Sequence, residues 1–590
     1  MSAGTEFDTA YAHVRAGRMA EAEAILQRIV TSDPDDAGVL HLLGVIAAGR
    51  DDGAEAVALF ARAIEAKPGF ATAHSNLGAA LLRRGEISGA IDHLEKAIEL
   101  APDFAHAHGN LGNAFEASGR YEEAAKAYRR ALILDRRDAE THNNLGNVLH
   151  RLGQVEAAAA SYRRALAIEP EHLGALSNLG NALHALGRAD EAVASFRRAL
   201  MVKPDFADAL ANLGNVFHFE RKLADAEGCL RRAIEAEPNF AMAHSNLGAL
   251  LRDMGRYGEA EESLTRALKI DPDHVAANAN LAYLLLTLAD FARAWRRYAL
   301  RSSVRHRRQA LWQEPLPDGL DGKRVFLRTD QGLGDDIFFL RFAPAVKERG
   351  AWICHDPGPK IASIVARLPF IDEIIGEGET PQGVDITLSA GDLPLALGME
   401  SIADIPPPVA LAPEPGRREA MRARLAGFGP APYIGVTWRA GTRDKPGSLF
   451  KEAPLDGVGG ALKRAGGTVA VLQRNPEAGE IDALSRALGR EVHDCTALND
   501  ELEDMLALLA LLDDYVTVSN TNVHLRAGAG RTSRVLVPNP PEYRWMAEGD
   551  ESPWFPGCSV YRQTVDGDWQ GAFQALTKDL GHAFGGGGRS

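Results

Sequence analysis

At 590 residues the chain exceeds what one hydrophobic core sustains, and its 46% hydrophobic and 25% charged residues suit a folded protein of more than one domain. A formal charge of −15 excludes a general nucleic-acid binder, which needs clustered Lys and Arg to meet phosphates. No run approaches the roughly 18–20 apolar residues that span a bilayer, so no membrane insertion is expected.

The chain opens with Met-Ser-Ala-Gly-Thr-Glu-Phe-Asp, which lacks the basic start and apolar stretch of a secretory signal. Cys229, Cys354, Cys495 and Cys558 form no Cys-x-x-Cys pair and have no His at zinc-ligand spacing. Reduced thiols in a cytoplasmic protein, with no metal, are the expectation.

From residue 3 to 302 one pattern recurs. Gly44, Gly78, Gly112, Gly146, Gly180, Gly214 and Gly248 stand 34 residues apart, and Ala282 continues the series. Pro34, Pro68, Pro102, Pro170, Pro204, Pro238 and Pro272 keep the same step, broken by Arg136. A second small-residue column (Ala22, Ala56, Ala90 onward) is followed four residues later by Phe60, Leu94, Tyr128, Tyr162, Phe196, Leu230, Leu264 and Tyr298. The spacing predicts helix pairs in which Gly and Ala let two backbones approach, and the larger residue fills the space between neighbouring units. Gly85, Gly119, Gly153 and Gly187 suit the turn inside each pair, and the proline ends the second helix. The pattern resembles the tetratricopeptide repeat over about nine units, which implies an all-α superhelix that binds an extended partner.

Asn76, Asn110, Asn144, Asn178, Asn212, Asn246 and Asn280 always stand two residues before the Gly position. They place an amide on one face of successive first helices, and such a ladder can hydrogen-bond a peptide backbone without reading its side chains. It is similar to the ladder of the O-linked N-acetylglucosamine transferases, where it holds the acceptor polypeptide. The same Asn also serves as plain scaffold in other repeats, and both readings stay open. His74, His108, His142 and His244 lie one or more full repeats apart, too far to share an ion, so packing is expected of them.

After Tyr298 the pattern stops, and residues 303–322 read as a linker with a basic stretch at 301–308. From 323 the texture becomes that of an α/β sheet, with candidate strands at 324–328, 352–354, 433–437, 468–472, 515–518 and 534–538. The prolines at 406–408, 413 and 415 split this region into lobes 323–430 and 431–575, followed by a flexible tail, 576–590, that ends in a glycine run. Two Rossmann-like lobes facing a cleft make the GT-B arrangement, with the nucleotide expected on the second lobe.

In the first lobe a strand leads through Gln331-Gly332-Leu-Gly334-Asp335-Asp336 into an aromatic-rich helix. Glycines there let an anionic ligand approach the helix start. The motif looks like that of the heptosyltransferase-related domain found behind bacterial repeat arrays. The resemblance makes Asp335 the general base on the acceptor hydroxyl, in an inverting transfer that needs no metal. Asp336 is the runner-up base, and a helix-capping role is the alternative for Asp335.

In the second lobe Tyr433-Ile-Gly-Val-Thr437-Trp-Arg439-Ala-Gly runs into Thr442-Arg443-Asp-Lys445 and then Phe450-Lys451. The Thr and Lys positions resemble donor-phosphate contacts, Lys451 matching better than Lys445; a lysine there neutralises the leaving group in place of a metal. Further on, Ser519-Asn520-Thr521-Asn522-Val-His524-Leu-Arg526 departs from the related Asp-Thr-x-x-x-His-Leu pattern. Ser519 or Asn520 stands where the Asp is expected, so one negative charge is missing; His524 is expected to order the loop or face phosphate. Arg439, Arg443 and Arg526 are candidates to face an acidic sugar. In the tail, Pro540-Pro-Glu-Tyr-Arg544-Trp matches the end of the same domain, with Arg544 a candidate cleft residue.

Chains with the Ser-Asn-Thr-Asn-x-His-Leu variant resemble the flagellin glycosyltransferases of alphaproteobacteria. That resemblance implies a nucleotide-sugar donor, best a CMP-activated nonulosonic acid, and a protein acceptor, flagellin, recruited by the repeats and modified on Ser or Thr. The alternatives are a saccharide acceptor such as lipopolysaccharide, and a non-catalytic adaptor with a degenerate transferase fold.

Overall fold

The computed structural model describes residues 3–301, 315–329, 331–376, 379, 381–441 and 451–584. Among these, eighteen helices run in succession from Ala3–Arg15 to Phe291–Tyr298. Most pairs match a 13-residue first helix to a 14-residue second one, as in Ala71–Arg83 and Ile87–Leu100.

The glycine column explains the pairing. A Cβ added to Gly44 would come within 2.6 Å of the Phe60 ring, one on Gly112 within 2.5 Å of Tyr128, and one on Gly146 within 2.4 Å of Tyr162. The large residue therefore seats on the glycine of its own pair, which refines the expectation that it fills space between units. Arg136 shows that the proline is dispensable: the helix Tyr121–Leu134 still ends in register, with the Asp135 N–H on the Ala131 carbonyl at 2.7 Å. The histidine column packs as expected. His74, His108, His142 and His244 each donate from Nε2 to the carbonyl six residues earlier, at 2.9–3.3 Å.

The chain divides by compactness into Met1–Glu220 and Arg221–Ser590. The division falls inside the repeat series, because the last helices are packed into the α/β region that follows them. Phe291 and Trp295 meet Trp554 edge-on at 5.4 and 6.2 Å between centroids, and Tyr298 lies 5.9 Å from Phe339. Arg301 forms a buried ion pair with Asp392 at 2.6 Å. The Ala547 N–H reaches the Thr287 carbonyl at 3.1 Å, and the Asn539 amide donates to the Asp253 carbonyl at 2.9 Å.

Two parallel sheets follow. The first contains β1 (Arg324–Arg328), β2 (Trp352–His355), β3 (Glu373–Ile374) and β4 (Ile386–Ser389), in the order β3-β2-β1-β4. The second is built from β5 (Tyr433–Thr437), β8 (Thr468–Val471), β9 (His493–Asp494), β10 (Asp514–Val518), β11 (Arg534–Val537) and β12 (Ser559–Arg562), in the order β12-β11-β10-β5-β8-β9. Between β5 and β8 the short strands β6 (Arg439–Ala440) and β7 (Lys451–Glu452) pair antiparallel. The second sheet's core, around Val436, Val516, Leu536 and Leu576, excludes water completely.

Strand order locates the sites. The connections from β1 lead first to β2 on one side and later to β4 on the other. Those from β5 lead to β8 on one side and later to β10 on the other. At such reversals the loops leaving the carboxyl ends of adjacent strands diverge and open a crevice.

Among the described residues no helix is long and apolar enough to cross a membrane. Cys354, Cys495 and Cys558 are buried, Cys229 is partly exposed, and all four are free thiols.

Candidate functional site

β1 feeds the helix Leu333–Phe339, with Gly332 extended at its N-cap and two carboxylates in the first turn. Adjacent helical residues project about 100° apart, and here that separates two roles. Asp336 turns inward and is 2% exposed. Its carboxylate accepts from the Thr329 hydroxyl at 3.0 Å and lies 3.3 Å from His355 Nε2. His355 Nδ1 meets the Leu327 carbonyl at 2.7 Å. Burial works against charge on this imidazole, but Asp336 outweighs it and raises the His355 pKa. Asp336 is thus a buried tie between β1 and β2, which corrects its reading as a reserve base.

Asp335 turns outward, with its side chain 31% exposed, and is ion-paired with Arg544. Arg544 also pairs with Glu542 and lies over the Phe338 ring, 4.3 Å from its centroid. Glu542 in turn accepts from Lys451 Nζ at 2.5 Å and from the Ser519 hydroxyl at 2.9 Å. The result is one chain of alternating charge, Asp335–Arg544–Glu542–Lys451, running from the reversal of the first sheet to that of the second. Burial alone raises the Glu542 carboxyl, but Lys451 and Arg544 outweigh it and hold it well below the usual carboxylate range.

A carboxylate nonetheless stands beside position 519 in space. Ser519 binds Glu542, which supplies the carboxylate from 23 residues away. Sequence reading passed over Glu542. The available signal was a charged pair, Glu542 and Arg544, inside an otherwise proline- and aromatic-rich run.

Asn520 is the N-cap of the helix Thr521–Gly528, accepting from the Val523 N–H at 3.3 Å while its amide donates to the Thr517 hydroxyl at 2.9 Å. Thr521 stays partly exposed, and Asn522 is buried. Gly334 allows this helix and Leu333–Phe339 to abut: a Cβ there would lie 3.3 Å from the His524 ring and 3.4 Å from the Thr521 hydroxyl. His524 is 6% exposed and stands edge-on to Phe338 and Phe555. Burial, then the nearby Arg544 charge, pushes its pKa well below the ordinary value. It is a neutral packing group at the helix contact, which corrects a phosphate-facing role.

Three other candidates are corrected as well. The Thr437 hydroxyl is buried against the Tyr515 hydroxyl at 2.8 Å. Arg439 is 8% exposed and is held by Glu480 at 2.6 Å, by Glu477 and by the Asn475 carbonyl. Arg526, 1% exposed, donates to the carbonyls of Thr532, Leu509 and Leu512 at 2.6–3.1 Å, and burial brings its pKa down to about 10. Both guanidinium groups are held by the protein's own carboxylates and carbonyls. Thr442, Arg443 and Lys445 lie outside the described residues. The structure thus brings together Gly332, Gly334, Asp335, Thr521, Lys451 and Ser519, and adds Glu542 and Arg544.

The repeats reach this place through the first helix of their last pair, Val275–Thr287. Asn280 accepts from Arg252 at 3.2 Å. One turn on, the Tyr283 ring lies 5.8 Å from Tyr543. Burial, then the Asp335 charge, raises the pKa of the Tyr283 hydroxyl. All seven residues of the asparagine column stay partly exposed. Some also join neighbouring repeats: the Asn178 amide donates to Asn143 at 3.0 Å and to Asn147 at 2.9 Å, and Asn76 meets His41 at 2.9 Å.

Tetratricopeptide-repeat models match residues 7–69, 80–119, 112–153, 137–205, 183–250 and 241–274. The helical half is a tetratricopeptide-repeat array. A protein-interaction role follows for it, since function on such an array means binding along its surface. Among curated proteins, Protein FlbA of Caulobacter vibrioides is 25% identical over 272 residues, covering 42% of this chain and 45% of the relative. The match thus spans less than half of that relative's length. Among solved structures, YrrB, described as a TPR protein with an unusual peptide-binding site, is 28% identical with a TM-score of 0.28, covering 31% of this chain and 95% of its own. The Cut9–Hcn1 hetero-tetramer of APC/C is 21% identical with a TM-score of 0.37, covering 45% of this chain and 52% of its own.

Proposed function

We propose that this protein is an O-glycosyltransferase of GT-B type whose tetratricopeptide-repeat array presents a polypeptide acceptor to Asp335. The observation that carries the reading is that, within one compact unit, Tyr283 on the last first-helix stands against Tyr543, with the partly exposed Asp335 carboxylate near enough to raise the pKa of its hydroxyl. In this mechanism an acceptor Ser or Thr hydroxyl attacks the anomeric carbon of the donor and loses its proton to Asp335. The bond from that carbon to the nucleotide phosphate breaks, and Lys451 stabilises the departing phosphate oxygen. Arg544 orients the base. Glu542 holds Lys451 in place and gives up part of that contact when a phosphate binds. The donor is a nucleotide sugar, best a CMP-activated nonulosonic acid, and the acceptor is flagellin.

The test is intact-mass analysis of purified flagellin incubated with the protein and CMP-, UDP-, GDP- or ADP-sugars. A mass increment with one donor is expected, and Asp335→Asn should slow it by about 10²–10⁴-fold. An unchanged rate in that variant removes Asp335 from the chemistry. A second reading, a repeat adaptor with an inactive transferase fold, draws support from the occupation of Lys451 by Glu542. It predicts flagellin binding without any mass increment.

A further inference from the structure

Within the Met1–Glu220 unit a cavity of about 700 Å³ opens between the helices Tyr121–Leu134 and Val155–Ile168, over the start of Ala139–Arg151. Arg129, Arg136 and Arg164 stand around it, Leu132 and Leu145 form its floor, and His142 faces it. Two departures from the 34-residue pattern converge there. Arg136 occupies the register of Pro34, Pro68, Pro102 and Pro170. Ala157 occupies the register of Glu191 and Glu259, which lie 3.5 Å from Arg163 and 3.6 Å from Arg231, the counterparts of Arg129. His142, which also lines the pocket, is 7% exposed, and its Nδ1 has no partner among the described residues. In the register of His93, which engages His74 Nδ1 at 3.0 Å, this repeat carries Ser161, whose hydroxyl goes to the Ala157 carbonyl.

The consequence is a set of cations without internal counter-charges. Among the described residues Arg129, Arg136 and Arg164 make no ion pair, whereas the same groove one repeat later contains Glu191 and its partner Arg163. His142 Nε2–H is committed to the Arg136 carbonyl at 3.3 Å and its Nδ1 is shielded from solvent, so the ring lines the pocket without offering it a polar atom. Cations beside an apolar floor suit a polypeptide segment that carries carboxylates and an aliphatic side chain. Residues two apart on a helix point about 200° away from each other, so His142 faces away from the Asn144 column.

We propose that this pocket is a second peptide-binding site, on the opposite side of the helix from the asparagine column, and that it takes an acidic segment. The segment's carboxylates sit on the three arginines, and an aliphatic side chain sits on Leu132 and Leu145. The site is independent of the sugar-transfer reading.

The experiment is fluorescence anisotropy on the full chain, with a labelled octapeptide alternating glutamate and leucine as probe and its glutamine–leucine counterpart as control. Ala157→Glu restores the carboxylate that most other repeats carry at this register, at an exposed helical position, so the fold is retained. Both Ala157→Glu and Arg164→Ala should weaken binding of the acidic peptide roughly tenfold. Arg130→Ala, which removes the same charge off the pocket, should not. The neutral peptide should bind at least tenfold more weakly than the acidic one. Absence of binding to the wild-type chain, equal binding by wild type and Ala157→Glu, or an equal loss with Arg130→Ala overturns the proposal. Displacement of the peptide by an RNA oligonucleotide at lower concentration overturns the assignment to peptide.

Discussion

Glutamine at position 542 would keep the shape of the side chain and remove the charge that Lys451 and Arg544 share. Glu542 is 9% exposed at its side chain, so Glu542→Gln leaves two cations facing each other with little water between them. Breaking a buried pair in this way costs about 3–5 kcal/mol, measurable by urea denaturation at neutral pH. The pH dependence has a definite sign. A carboxyl whose folded pKa is depressed contributes stability that is complete above its unfolded value of about 4.3 and is lost as pH falls toward the folded value. The wild type should therefore lose stability below about pH 4.5 more steeply than Glu542→Gln. Sequence pattern singled out Asp335 and Lys451, and the structure places both in one chain of charges, Asp335 in the helix after β1 and Lys451 at the start of β7. Sequence pattern was a poor guide to Arg439 and Arg526. Arg439 finds Glu480 41 residues away, and Arg526 finds backbone carbonyls, so neither partner has a local signature.

At the scale of elements, the turn inside each pair supplies an internal control. Gly85, Gly119, Gly153 and Gly187 adopt φ values of 72–78°, while Asp51, Arg221 and Ala289 take up φ near 60° in the same register. A Cβ in the left-handed region costs roughly 1 kcal/mol or more, partly offset by the greater freedom glycine loses on folding. Ala289→Gly should accordingly raise stability by about 0.5–1 kcal/mol, seen as a higher midpoint in thermal denaturation. Conversely, Gly146→Ala drives a methyl into the Tyr162 ring and should destabilise by about 1–3 kcal/mol. The helices were legible because 34-residue recurrence multiplies a weak local signal. The six expected strands agree with β1, β2, β5, β8, β10 and β11 to within a residue at each end. β3 and β9 and the β6–β7 hairpin have two residues per strand, too few to show a period, and exist through tertiary pairing. β12 lies inside the proline- and aromatic-rich tail, whose composition hides it.

At the scale of the molecule, the asparagine column and the charge chain belong to one functional proposal and separate kinetically. Asn246→Ala combined with Asn280→Ala removes the two amides of the column that lie in the same compact unit as Asp335. If they hold the acceptor backbone, the KM for a polypeptide acceptor should rise about tenfold, from roughly 0.5–1.5 kcal/mol per lost hydrogen bond, with the KM for the nucleotide sugar unchanged. Unchanged acceptor kinetics would leave the column a scaffold.

The compact division at Glu220 and Arg221 has an evolutionary corollary. Nearest-neighbour stacking lets whole 34-residue modules be duplicated or deleted ahead of Arg221. The helices that support Tyr283, and through it the surroundings of Asp335, remain downstream of every such event. Copy number can then change ahead of Arg221 while the residues around Asp335 stay as they are.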